Sequence, residues 1–235
     1  MFTFGLAEGP RAFDPLVLLL LAMVLEGIAS SARVMFQHFP SLLNIVSGII
    51  LFFDRKLNRK HRSQMDRAIR GVLVTIFVIL LCLGLSAGVL WVAGHIRYGW
   101  TLELILTASL LTQGRAYGEA RSLAKQISAN RLDEARSSLE DITDQDAINI
   151  DGHAVCRIAI ENTTEKLVTG VVGPVFWFIL FGFPGLFISR AVHAMAKELD
   201  RPTDEYRAFG LTAGRLDDAL MFIPARIACL FVAMA

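Results

Sequence analysis

The sequence predicts an all-α, polytopic integral membrane protein, with about four to five membrane-associated helical segments and one polar helical section outside the bilayer. Three observations predict it. Residues Gly71–Gly94, GVLVTIFVILLCLGLSAGVLWVAG, run 24 positions without a charge, and about 20 apolar residues span a bilayer. Of the 235 residues, 54% are hydrophobic and 19% charged, against roughly 25% charged in ordinary soluble domains. No alternating strand pattern rises above noise, whereas helical periodicity recurs throughout.

Each element follows in order. Pro15–Ala32, PLVLLLLAMVLEGIASSA, is long enough to span but carries Glu26. An acid inside a span faces protein or water, or else marks the interface. Ser41–Phe53 has 13 residues, too short to cross, and is expected to lie in the interface or re-enter. Residues 54–70 follow, with Arg55, Lys56, Arg59, Lys60, Arg62, Arg67 and Arg70. The positive-inside rule makes this loop cytoplasmic, which orients Gly71–Gly94 outward and Leu102–Thr112 back again. Residues 113–166 are polar with helical spacing and read as a cytoplasmic helical section. Leu167–Ser189 is uncharged for 23 residues but broken by Gly170, Gly173, Pro174, Gly182, Pro184 and Gly185. It reads as a kinked span or a re-entrant hairpin. The chain thus divides into 1–112, 113–166 and 167–235.

Several function classes are excluded. A net charge of +1 leaves no electrostatic footprint for nucleic acid, and none is expected as a partner. Cys82, Cys156 and Cys229 match no metal spacing. The five histidines show no i, i+4 pair, and no Walker loop, GxSxG or GxGxxG occurs. Chemistry must lie in charges at the ends of apolar segments. Glu161 and Glu165 share one helix face, either as a solvated acidic face or around a cation. Near the end, RLDD sets Arg215 three residues from Asp218, a spacing that pairs them at a helix entry. Asp217 then points elsewhere, and Asp217 with Asp218 suits Mg²⁺ held with phosphates. Arg226 reads as a phosphate or carboxylate ligand, or as a buried counter-ion for Asp217 or Asp218.

These residues resemble a known family. GVVGPVFWFILFGFPG, EYRAFG, RLDD and IPAR are similar to motifs of the CobD/CbiB family of cobalamin biosynthesis proteins. RLDEARSSLEDI and LNRKHR…RAIRGVLV resemble its earlier segments, and the likeness covers roughly residues 14–235. The resemblance implies a multi-pass inner-membrane protein with residues 54–70 and 113–166 cytoplasmic. It implies ATP-dependent amide formation between adenosylcobyric acid and aminopropanol or its phosphate. Glu161, Glu165, Asp217 and Asp218 would then be catalytic, with Mg²⁺ on Asp217 and Asp218 and ATP and a corrinoid as ligands. Arg215, Arg226 and Asp146 would bind substrate or phosphate.

The chain departs from the family pattern. In its Glu-x-x-x-Glu-Asn-x-x-Asp-Gly motif, Lys166 stands for Asn and Thr169 for Asp. Its Asn-Thr-Leu-Asp-Ser-Met is replaced from His193 to Glu198, and its Gly-Arg-Asp-Thr by Asp144–Ala147. Lys166 is expected to pair with its neighbour Glu165. A second expectation therefore stands beside the ligase. The chain is then a catalytically inactive relative, without ATP or Mg²⁺, serving as an accessory, structural or regulatory subunit with other membrane proteins or as a homo-oligomer.

Overall fold

The computed structural model describes residues 14–31, 42–57, 64–143, 151–199 and 208–234, and every described element is a helix. They are α1 (Pro15–Ser31), α2 (Leu42–Leu57), α3 (Gln64–His95), α4 (Gly99–Leu110), α5 (Gln113–Ser128), α6 (Leu132–Thr143), α7 (Gly152–Leu167), α8 (Gly173–Phe181), α9 (Phe183–Leu199) and α10 (Leu211–Met234). The centre of the basic loop, residues 58–63, and Asp146 lie outside the described residues.

α9 is the hub. It packs against α2, α3, α8 and α10, and Phe183, Leu186, Phe187 and Met195 are all but fully buried on it. Opposite them, α3 buries Val74, Val78 and Cys82, and α1 buries Leu18, Leu19 and Ala22. The outer faces of the same helices are apolar and exposed: Leu73, Ile76, Phe77 and Leu80 on α3, and Phe222, Ile223, Leu230 and Phe231 on α10. Water would penalise so large an apolar belt, and lipid removes the penalty. Among the described residues, two helices are long and apolar enough to cross a membrane, Gln64–His95 and Gly152–Phe181, and Pro15–Ser30 is a shorter apolar helix. The belt and these helices fit a membrane protein.

The second of those helices joins α7 to α8 through a single π-turn, Val168–Val172. Its cause is readable. The Gly173 N–H returns five residues to the Val168 carbonyl. The next donor in that register is Pro174, which has no N–H. The Thr169 carbonyl is therefore released, and Arg190 takes it. The helix then stops at Gly182, whose φ of 68° and ψ of −154° belong to a region open almost only to glycine. α9 folds back so closely that a Cβ on Gly185 would stand 2.4 Å from the Trp177 carbonyl oxygen. The Gly/Pro-broken stretch is thus a helix, a sharp break and a second helix.

Glu26 is explained by α5. The backbone N–H of Gly114, in the first turn of α5, donates to both carboxylate oxygens of Glu26, at 3.0 and 3.2 Å. A helix N-terminus presents free N–H groups and a partial positive charge. The Gln113 amide also donates to the Met23 carbonyl. α5, α6 and α7 form a satellite unit around Leu123, Ala135, Leu139, Val155 and Ala159.

Candidate functional site

Arg190 and His193 lie three residues apart on α9, so they share a face. That face meets Asp217 on α10. His193 Nδ1 and Asp217 Oδ2 are 2.9 Å apart, with both side chains mostly buried. Arg190 is nine-tenths buried. Its Nη1 donates to the released Thr169 carbonyl at 2.9 Å, which fixes the guanidinium beside the π-turn. Asp217 supplies the opposing charge, yet the two form no direct ion pair. Arg190 Nε and Asp217 Oδ1 are buried with no hydrogen-bond partner. Native interiors rarely leave such atoms unpaired, and each is a place to look for a ligand. The Trp177 indole N–H donates to the Leu220 carbonyl at 3.1 Å, tying α8 to α10 one turn from Asp217.

The other expected site residues are dispersed. Glu161 pairs with Arg157 at 3.5 Å on the exposed side of α7, and Glu165 is exposed. Neither bonds to Arg190, His193 or Asp217. Lys166 pairs with Glu119 of α5, not with Glu165. Adjacent residues on a helix point about 100° apart, so the neighbour in sequence is the wrong partner. Arg215 and Asp218 are both exposed on α10 and do not form the expected pair. Arg226 is exposed as well. Its guanidinium lies 3.5 Å from the Phe222 ring centroid and donates to the Phe222 carbonyl at 2.9 Å. It is no counter-ion for Asp217 or Asp218: at 1.5 Å rise per residue it stands about 12–13 Å further along the helix. Arg190 fills that role for Asp217. Its sequence signal was faint, a single charge closing a long uncharged segment, and His193 three residues later was the other half of it.

The Mg²⁺ expected on Asp217 and Asp218 does not fit these residues. One Asp217 oxygen is held by His193, a buried guanidinium stands nearby, and Asp218 faces away into solvent. Mg²⁺ demands near-octahedral oxygen ligation. Among the described residues, no group of three or more His, Cys, Asp or Glu side chains comes together.

Comparison with known proteins reaches the same part of the chain. The family model described as CobD/Cbib protein matches residues 19–235. A cobalamin biosynthesis protein CobD from Sinorhizobium sp is 30% identical over 226 residues, covering 92% of this chain and 68% of the relative. The CobD protein of Brucella suis is 25% identical over 94% of this chain and 68% of its own length. The cobalamin biosynthesis protein CbiB of Salmonella arizonae is 26% identical over 85% and 63%. The chain thus spans about two thirds of the length of these relatives. No solved structure matches it. With the motif segments, the helical hairpin and the α9–α10 cluster all inside the matched region, the chain belongs to the CobD/CbiB family.

Proposed function

We propose that this protein acts in cobalamin biosynthesis, at the cytoplasmic face of the inner membrane, in the step that joins adenosylcobyric acid to aminopropanol or its phosphate by an ATP-dependent amide bond. The observation that carries this reading is the family match over residues 19–235, with relatives named cobalamin biosynthesis proteins. The geometry supports it in two ways. A buried, oriented guanidinium suits a carboxylate or phosphate oxygen, and Arg190 is one. The first turns of α3 follow the basic loop, and Gly71 there lies against the Phe209 carbonyl just before α10. This supports a common, cytoplasmic side for the basic loop and for the head of α10, where nucleotide and corrinoid are available. The chain's own part in the step is binding and orientation through Arg190, His193 and Asp217. No role is derived for a bound metal.

A second reading, the catalytically silent accessory or regulatory subunit, is favoured by a specific observation. Where the family carries Asn, Lys166 is tied to Glu119, and Asp217 is held by His193. The deciding experiment incubates the detergent-purified protein with Mg–ATP, adenosylcobyric acid and aminopropanol, and follows the amide product by mass spectrometry. Product that Arg190→Gln abolishes supports the amide-forming reading. Absence of product, together with no calorimetric binding of Mg–ATP at millimolar concentration, retires it in favour of the accessory reading. Partner membrane proteins should then co-purify.

A further inference from the structure

We infer that Arg190 and Asp217 form a metal-independent subsite for a small zwitterionic group, with an ammonium on Asp217 Oδ1 and an anionic oxygen on Arg190 Nε. This deepens the reading of the α9–α10 cluster as the binding site, but it does not depend on the amide chemistry. Three observations carry it. Both atoms are buried and unpartnered, and an unmet buried polar atom costs about 1–3 kcal/mol, more when charged. The remaining contacts of each side chain hold it in place: Arg190 Nη1 on the Thr169 carbonyl, Asp217 Oδ2 on His193. The two charges oppose each other without a direct ion pair.

Charge balance then selects the ligand. A phosphate alone would satisfy Arg190 and face the Asp217 carboxylate. An amine alone would satisfy Asp217 and face the guanidinium. A divalent cation meets the same repulsion from Arg190. A molecule with an ammonium and an anionic oxygen a few bonds apart meets both groups in their charged forms. Two sources present that chemistry: a soluble amino-alcohol phosphate and the headgroup of phosphatidylethanolamine.

The test uses the full chain in phosphatidylcholine nanodiscs with EDTA, titrated with phosphoethanolamine by calorimetry. The choline headgroup lacks an N–H donor and serves as a silent background. The expected result is saturable 1:1 binding that added Mg²⁺ does not strengthen. Inorganic phosphate and ethanolamine should each bind roughly tenfold more weakly or worse, the loss of one charge-assisted contact. Asp217→Asn and Arg190→Lys should each weaken the probe by a similar factor, with unchanged circular dichroism. If Arg190→Lys does not fold, the isosteric Asp217→Asn carries the test. Discs containing phosphatidylethanolamine separate the sources: competition with the probe identifies the lipid, and unchanged binding identifies a soluble ligand. No saturable binding to the wild type, binding that requires Mg²⁺, or binding that Asp217→Asn leaves intact would overturn the proposal. A blank amide assay with intact probe binding removes the ligase reading alone. Product formation without probe binding removes the subsite alone.

Discussion

At the residue scale, the unusual feature is how much charge is buried beside a membrane and how specifically each group is met. Asp217 is anchored by His193 and opposed by Arg190. Removing one partner of such a set leaves a buried charge uncompensated, which costs about 3–5 kcal/mol. Arg190→Ala should therefore lower thermal stability in detergent sharply, whereas Arg226→Ala, on an exposed side chain, should change it by less than about 0.5 kcal/mol. Equal losses in the two melts would contradict the assigned burial. Asp217 was legible in the sequence as an acid in an apolar setting. Its partners were not, because they come from another helix 24 and 27 residues earlier.

At the element scale, two local devices set the path of the chain. Gly182 ends α8 with a backbone conformation that a Cβ strains, and Gly182→Ala should destabilise by about 1–3 kcal/mol. A melt unchanged by that substitution would mean that the break is made elsewhere. The second device is the Glu26 carboxylate at the head of α5. Glu26→Ala removes an acceptor for Gly114 and should cost about 1–3 kcal/mol, while Glu26→Gln, which keeps an acceptor oxygen, should cost less. Hydrogen exchange at Gly114 reads this directly, and equal protection in both variants would sink the capping role. The sequence displayed Glu26 as an interruption, with burial against protein and an interfacial position equally open. The answer lay 88 residues away, at the start of a polar helix whose N-terminus needs an anion.

At the scale of the whole molecule, the contact of Gly71 with the Phe209 carbonyl brings the start of α3 and the head of α10 to the same end. Cysteines introduced at the exposed positions Lys56 and Asp218 should therefore react with an impermeant maleimide from the same side of sealed vesicles. Labelling from opposite sides would break the topology. The α5–α7 unit has its own small core, so damage there should stay local. Leu139→Ala leaves a cavity worth about 2–5 kcal/mol, and limited proteolysis should then cut within α5–α7 while α3, α9 and α10 survive intact.

The sequence by itself determined the helical class, the apolar length of α3, the basic loop that orients it and the family to which the chain belongs. These follow from quantities that add along the chain, such as hydropathy, charge count and motif order. Tertiary structure decided the partners. It tied Lys166 to Glu119 where sequence adjacency favoured Glu165, gave Asp217 to His193 and Arg190 where a metal was expected, and left Arg215, Asp218 and Arg226 exposed. A helix fixes the direction of each side chain but not what stands opposite. That depends on how far the chain folds back, here at Pro174 and Gly182, and no local pattern carries that distance.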